Sequence, residues 1–254
     1  VGSGCGRNGD PVRPRTDAGV GLDDRSAADI ARQFAASLSQ TGLPLDRVGT
    51  SSLATLARGD APAFRRSGPA SVTDEGDFRW SLAVTFFDAG GVAQPHFVPG
   101  VTARVVVVAR ARGELVTSEH RAFLGTHRRL DVQGLLPAED VLRIDGAAQD
   151  TADCEFEARD GSAERSYHLR AAGELIDVRK LKNESENRYP LSGVARWEVD
   201  VDAFVRDGDD EREAHYDATV VVTFNGTRHP VIEVSERWRF RMDLETGEVS
   251  ALAA

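Results

Sequence analysis

Residues able to do chemistry are few in this chain, and they are scattered. Six histidines, His96, His120, His127, His168, His215 and His229, are the only imidazoles, and no two of them stand at HxH or HExxH spacing. The two cysteines, Cys5 and Cys154, form no CxxC pair. A zinc centre legible in sequence needs such ligands at short, regular spacing. No metal is expected, and each histidine is read as an ordinary strand residue at a surface or a sheet edge. A serine nucleophile on a strand-to-helix elbow would show GxSxG, which is missing, and Ser192 in YPLSG lies in a Pro-Gly turn. Neither GxGxxG nor a P-loop is present to cradle a phosphate. The acidic run RDGDDERE, with Asp207, Asp209, Asp210 and Glu211, offers carboxylates to calcium but lacks the spaced DxDxDG pattern of a dedicated loop. It reads as a solvated hairpin tip. The expectation is a non-enzymatic chain without a cofactor.

Composition narrows the partners. With 254 residues, 41% of them hydrophobic, the chain is long enough to bury a substantial core in one large or two smaller domains. A formal charge of -10 argues against nucleic acid, whose phosphates are gripped by clustered cations. Lys180 and Lys182 are the only lysines. A GC-rich coding sequence produces that arginine bias by itself, so the number of arginines is no argument for an anionic ligand. No apolar run reaches the roughly 20 residues that cross a bilayer as a helix.

Positioning falls to strands. Residues 1–22 are rich in Gly, Pro, Arg and Asp without periodicity and read as a flexible tether, leaving 23–254 as a single β domain. Ser26 followed by Asp29 reads as a capping box opening a helix that places Ile30, Phe34 and Leu38 on one face and stops at Gly42. A second short helix is read around Ser52 to Ala57. From about Asp77 the period changes to two. FRWSLAVTF alternates around Trp80, and TARVVVVARA suits a central strand. ELVTSEHRAF and HRRLDVQGL are expected as a strand pair, followed by VLRIDGAA. DCEFEAR and RSYHLRA join across Asp160-Gly161, with ELIDVRKL beyond. VARWEVDVDAF places Trp197 inward, HYDATVVVTF ends at Asn225-Gly226, a strong hairpin signal, and ERWRFRMDL places Trp238 inward. A short edge strand is expected after Thr246-Gly247.

The fold class is therefore all-β with one or two short N-terminal helices. The strands form an antiparallel meander of roughly nine to eleven, too many to stay flat, giving a curved sheet, sandwich or partial barrel. Segments 70–148 and 149–254 share a pattern that suggests related halves. Trp80, Trp197, Trp238 and Phe34 are read as core aromatics or as the lining of a ligand cavity beneath the curved sheet. If Glu198, Asp200 and Asp202 share a face with Arg237, Arg239 and Arg241, the two ladders make cross-strand pairs. Otherwise the arginine stripe is a candidate grip for anionic lipid or polysaccharide.

The run YPLSGVARWEVDVDAF, then ATVVVTFNGTRHPVIEV, then FRMDLETGEV resembles the C-terminal part of uncharacterised bacterial envelope lipoproteins. The resemblance covers roughly the last 65 residues and implies an all-β envelope protein, outer-membrane-anchored or periplasmic to secreted, without assigning an activity. It also gives Cys5 a meaning: Ser3-Gly4-Cys5 fits the small residues before a lipidated cysteine, with residues 6–22 as the tether to the membrane. Lipid processing would remove Val1 to Gly4, and Gly2 stands where leucine is usual. A Cys5–Cys154 disulfide is the rival, closing a loop of about 150 residues for roughly 4–5 kcal/mol. Cys154 shares the phase of Phe156, which favours a small buried apolar residue. An incidental Cys5 is the third reading. The function expected is a lipoprotein binding or structural module of the cell envelope, with a lipid or hydrophobic-ligand carrier and a self-assembling surface subunit as alternatives.

Overall fold

Long runs of period-two alternation fold into strands longer than the usual five or six residues, and so many twisted strands in one sheet make it curl. The computed structural model describes residues 22–41, 68–75, 78–116, 120–157, 163–182, 189–207 and 210–252. Among the described residues one helix, α1 (Asp24–Thr41), precedes twelve strands: β1 (Gly68–Glu75), β2 (Phe78–Asp88), β3 (Ala93–Gln94), β4 (Thr102–Val116), β5 (His120–Gln133), β6 (Val141–Glu157), β7 (Ala163–Leu181), β8 (Ser192–Asp207), β9 (Asp210–Thr223), β10 (Val231–Val234), β11 (Trp238–Met242) and β12 (Val249–Ala251). Every pairing is antiparallel. Eleven strands follow one another in chain order, with β3 hydrogen-bonded to β2 off that path, in an open curved sheet. The all-β meander is thus the fold.

At 19 residues, β7 runs about 60 Å if fully extended. A bulge at Ile176–Asp177 bends it, where the register against both β6 and β8 slips and Asp177 takes φ 47. The neighbouring strand accommodates the bulge through the SG of YPLSG. Gly193 has φ +110, and a Cβ there would lie 2.4 Å from the Val178 Cα, so only glycine passes.

The concave face holds the core. Val105, Val107, Leu130, Val132, Ile144, Val178, Ala195, Val201, Val220, Val222 and Ile232 are fully buried, and α1 joins them through Ile30, Phe34 and Leu38. The helix packs against β10, β11 and β12 and reaches across to β7 and β8 by its side chains.

Several expectations need correction. Asp23, not Ser26, caps α1: the Ser26 N–H donates to Asp23 Oδ1 at 2.7 Å, as an N-cap aspartate does for the third helical residue. Ser26 and Asp29 both lie buried beneath the helix, so the apparent capping box is part of the packing face. ELVTSEHRAF is not one strand, because β4 ends at Val116 and β5 already begins at His120. Asp153 to Glu157 of DCEFEAR continue β6, and ELIDVRKL continues β7 through the bulge. Asn225-Gly226 does not make a two-residue hairpin, since Thr223 pairs with Val231. Instead Asn225 Oδ1 accepts the Thr227 N–H at 3.1 Å, and the Gly226 N–H is taken by Pro190 O at 2.9 Å. The Thr246-Gly247 turn does deliver the short edge strand β12. Residues 1–21 of the expected tether, with Cys5, and the second helix around Ser52 to Ala57 lie outside the described residues, while Leu22 packs against the core.

Candidate functional site

The register carries small and polar side chains in rows across the concave wall. One row runs Ala109, Arg128, Ala148, Gly173, Trp197 from β4 to β8, and the next runs Ala111, Thr126, Asp150, Ala171, Val199. Gly173 decides what happens between them. A Cβ there would fall 2.3 Å from the Trp197 ring, so its absence lets the indole lie across β7. The Trp197 Nε1–H donates to Asp150 Oδ2 at 3.0 Å, and Arg128 stands 3.6 Å from the other oxygen of that carboxylate. Phe34 of α1 closes over the indole with ring centres 5.3 Å apart. Arg128 is 1% exposed. Burial pushes the Asp150 carboxyl above the ordinary range, against the pull of the Arg128 charge and the Trp197 donor. An arginine–carboxyl pair thus sits within a largely apolar wall.

Toward β9 the wall meets the start of α1. Asp29 is fully buried and accepts from Arg165 Nε at 2.6 Å and from the Tyr167 hydroxyl at 3.0 Å, while Arg32 bonds its other oxygen at 2.9 Å. Trp238 Nε1–H donates to Asp24 at 2.7 Å. The helix is seated by carboxylates at its N-terminal end, where they also complement its dipole. Burial and the Asp29 charge push the Tyr167 phenol well up, and burial raises Tyr216 to about 12. Gln33, 3% exposed, has a side-chain oxygen without a hydrogen-bond partner.

The convex face carries a different set. Asp153 meets His168 Nδ1 at 2.5 Å, Arg170 donates to His168 at 3.0 Å and stands 3.5 Å from Asp202, and His215 Nδ1 lies 2.9 Å from Asp202. Donor atoms of Asp200, His215 and Asp217 lie within 4.8 Å of one another, a grouping of metal-ligand types that the sequence hid because β8 and β9 supply it jointly. Arg170 and His215 already answer the Asp200 and Asp202 carboxylates, as in an ordinary cross-strand charge ladder. Beside it lies a groove of about 630 Å³ whose lining includes Thr151, Arg170, Ala172, Glu198, Asp200 and Asp217.

Trp197 and Phe34 come together in the core as an aromatic pair. Trp238 is on the inward phase but only half-buried, under the Arg237 guanidinium at 4.6 Å. The Trp80 side chain lies outside the described residues. Cys154 is buried beside this seat, opposite Tyr167 in the ladder. The two charge ladders do not meet, because β8 and β11 are separated by β9 and β10; Arg239 pairs instead with Glu233. No protein-family model, curated protein or solved structure matches the chain.

Proposed function

We infer that the chain is a binding module of the cell envelope, tethered through a lipid on Cys5, that takes an apolar or amphiphilic ligand against the concave wall of its sheet. The observation that carries this reading is the run of small side chains on β4 to β6. Ala109, Ala111, Gly113, Ala122, Ala148 and Ala152 all face inward, at positions where a sheet packed for stability alone places Leu, Ile or Phe. Small side chains let a chain-like ligand that displaces their present cover lie close to the backbone of the wall. Polar groups inside the same wall, Thr126 and the Arg128–Asp150 pair, together with the unmatched Gln33 oxygen, suit a ligand that carries a hydroxyl or amide as well as hydrocarbon.

Native mass spectrometry of protein purified from envelope and a displacement titration with a fluorescent fatty acid test the reading together. A co-purifying lipid mass and saturable binding are expected, with binding weakened in Ala111→Phe and Ala148→Phe variants that retain the wild-type far-UV spectrum. Protein that carries no lipid and takes up no probe overturns the carrier reading. Absence of a diacylglyceryl mass on Cys5 overturns the tether separately.

A further inference from the structure

The convex face of β4 and β5 carries an unbalanced basic patch in a chain whose net charge is -10. Arg110, Arg112 and Arg129 are all exposed. Arg110 stands opposite His127, Arg112 opposite Gly125 on one side and Arg79 on the other, and Arg129 opposite Val108. On the β6 side the same rows continue into Ala147, Gln149 and Thr151, and on the β2 side into Ser81 and Ala83. The bordering carboxylates are engaged elsewhere: Asp131 with Arg104, Glu114 with Arg121, Asp153 with His168. Like charges directly across a strand pair destabilise a sheet. Elsewhere on this face Arg143, Arg170, Arg196 and Arg206 have carboxylate partners. Arg110, Arg112 and Arg129 therefore stand without a carboxylate directly opposite them on either neighbouring strand.

Two apolar groups stand among these cations. Phe123 is 42% exposed and lies under the Arg112 guanidinium at 5.0 Å, and Val116 is 67% exposed at the end of β4, opposite Arg121. A polymeric anion in solution needs only the charges. An anionic bilayer uses both, binding guanidinium groups at its headgroups and admitting an aromatic ring just below them.

We propose that the outer face of β4–β5 docks on an anionic lipid surface, with Arg110, Arg112 and Arg129 on headgroup phosphates and Phe123 in the interface. This surface lies on the opposite face of the sheet from the concave wall, and its action needs neither the Cys5 lipid nor a bound ligand.

The full chain carrying Cys5→Ser, so that no lipid anchor contributes, is sedimented with vesicles of phosphatidylcholine alone and of phosphatidylcholine mixed with phosphatidylglycerol. Binding only to the mixed vesicles, reduced by added salt, is expected. The triple variant Arg110→Gln, Arg112→Gln, Arg129→Gln should bind about tenfold or more weakly, and Phe123→Ser should weaken binding at unchanged charge. Arg239→Gln with Arg241→Gln, on β11, should leave it unaltered. Equal sedimentation with both vesicle types, wild-type binding by the triple variant, or capture by soluble anionic polymer without vesicle binding would each overturn the proposal. Exposed arginine-to-glutamine changes in a like-charged patch leave the fold intact, which the far-UV spectrum verifies.

Discussion

Burial pushes the Cys154 thiol above its ordinary range, chiefly by desolvation, with the negative charges of Asp153 and Asp29 adding to it. Thiolate is the reactive form, so this sulfur is protected twice, by access and by ionisation. In a Cys5→Ser chain a disulfide-exchange reagent such as Ellman's should find no rapidly reacting thiol in native protein and one equivalent after denaturation; prompt native labelling would contradict the packing. The phase of this residue was legible, because alternation with Phe156 places it inward. Asp29 was not. Standing three residues after Ser26, it has the spacing of a capping carboxylate, and only the arrival of Arg165 and Tyr167 from β7 makes it the centre of a buried cluster. The concave rows were hidden for the same reason: Arg128, Asp150 and Trp197 come from three strands, and their meeting depends on register and on the missing side chain of Gly173.

At the scale of elements, α1 is held by charge as well as by its apolar stripe. Removing one partner of a buried ion pair leaves the other desolvated and unanswered, a loss of about 3–5 kcal/mol. Asp29→Ala should therefore lower stability in urea by about that amount, while Arg32→Ala, whose partner keeps Arg165 and Tyr167, should cost about 1 kcal/mol or less. Equal losses would mean that the Arg165 contact carries no special weight. Strands were legible wherever alternation was regular, as in β2, β8 and β11. Their ends were harder to read, because the alternation runs on past the end of β4 at Val116, and because the β7 bulge restores the phase after breaking it. Turn dipeptides were good guides to where the chain reverses and poorer guides to loop length, as the Asn225-Gly226 connection shows.

Across the whole molecule, exposed charge couples stability to pH. The His215 hydrogen bond holds Asp202 below its ordinary value of 3.8. Burial works to raise Asp243, but Arg228 and the Thr246 N–H outweigh it, and this carboxyl too stands below 3.8. A depressed folded pKa contributes stability that is complete above the unfolded value and lost as pH falls through the folded one. Urea midpoints should accordingly hold steady down to about pH 5 and drop toward about pH 3, with a smaller drop in Asp243→Asn. An unchanged midpoint across that interval would remove these pairs from the account.

Chain-order pairing also sets a timetable. Each long strand finds its partner in the strand made just before it, so the sheet can lengthen hairpin by hairpin as the polypeptide leaves a ribosome or a translocation pore. The helix cannot join that progression. The hydrogen bonds that seat it reach Arg165, Tyr167 and Trp238, at separations from 136 to 214 residues along the chain, and β10 to β12, against which it packs, come last of all. Until those final residues emerge, the helix lacks three of the strands it covers, although Phe34 already has Trp197 of β8 to lie on. A chain stopped short of β11 should therefore keep most of its strands, leave its helix undocked and present a sticky apolar stripe, the form in which this protein would most need a chaperone.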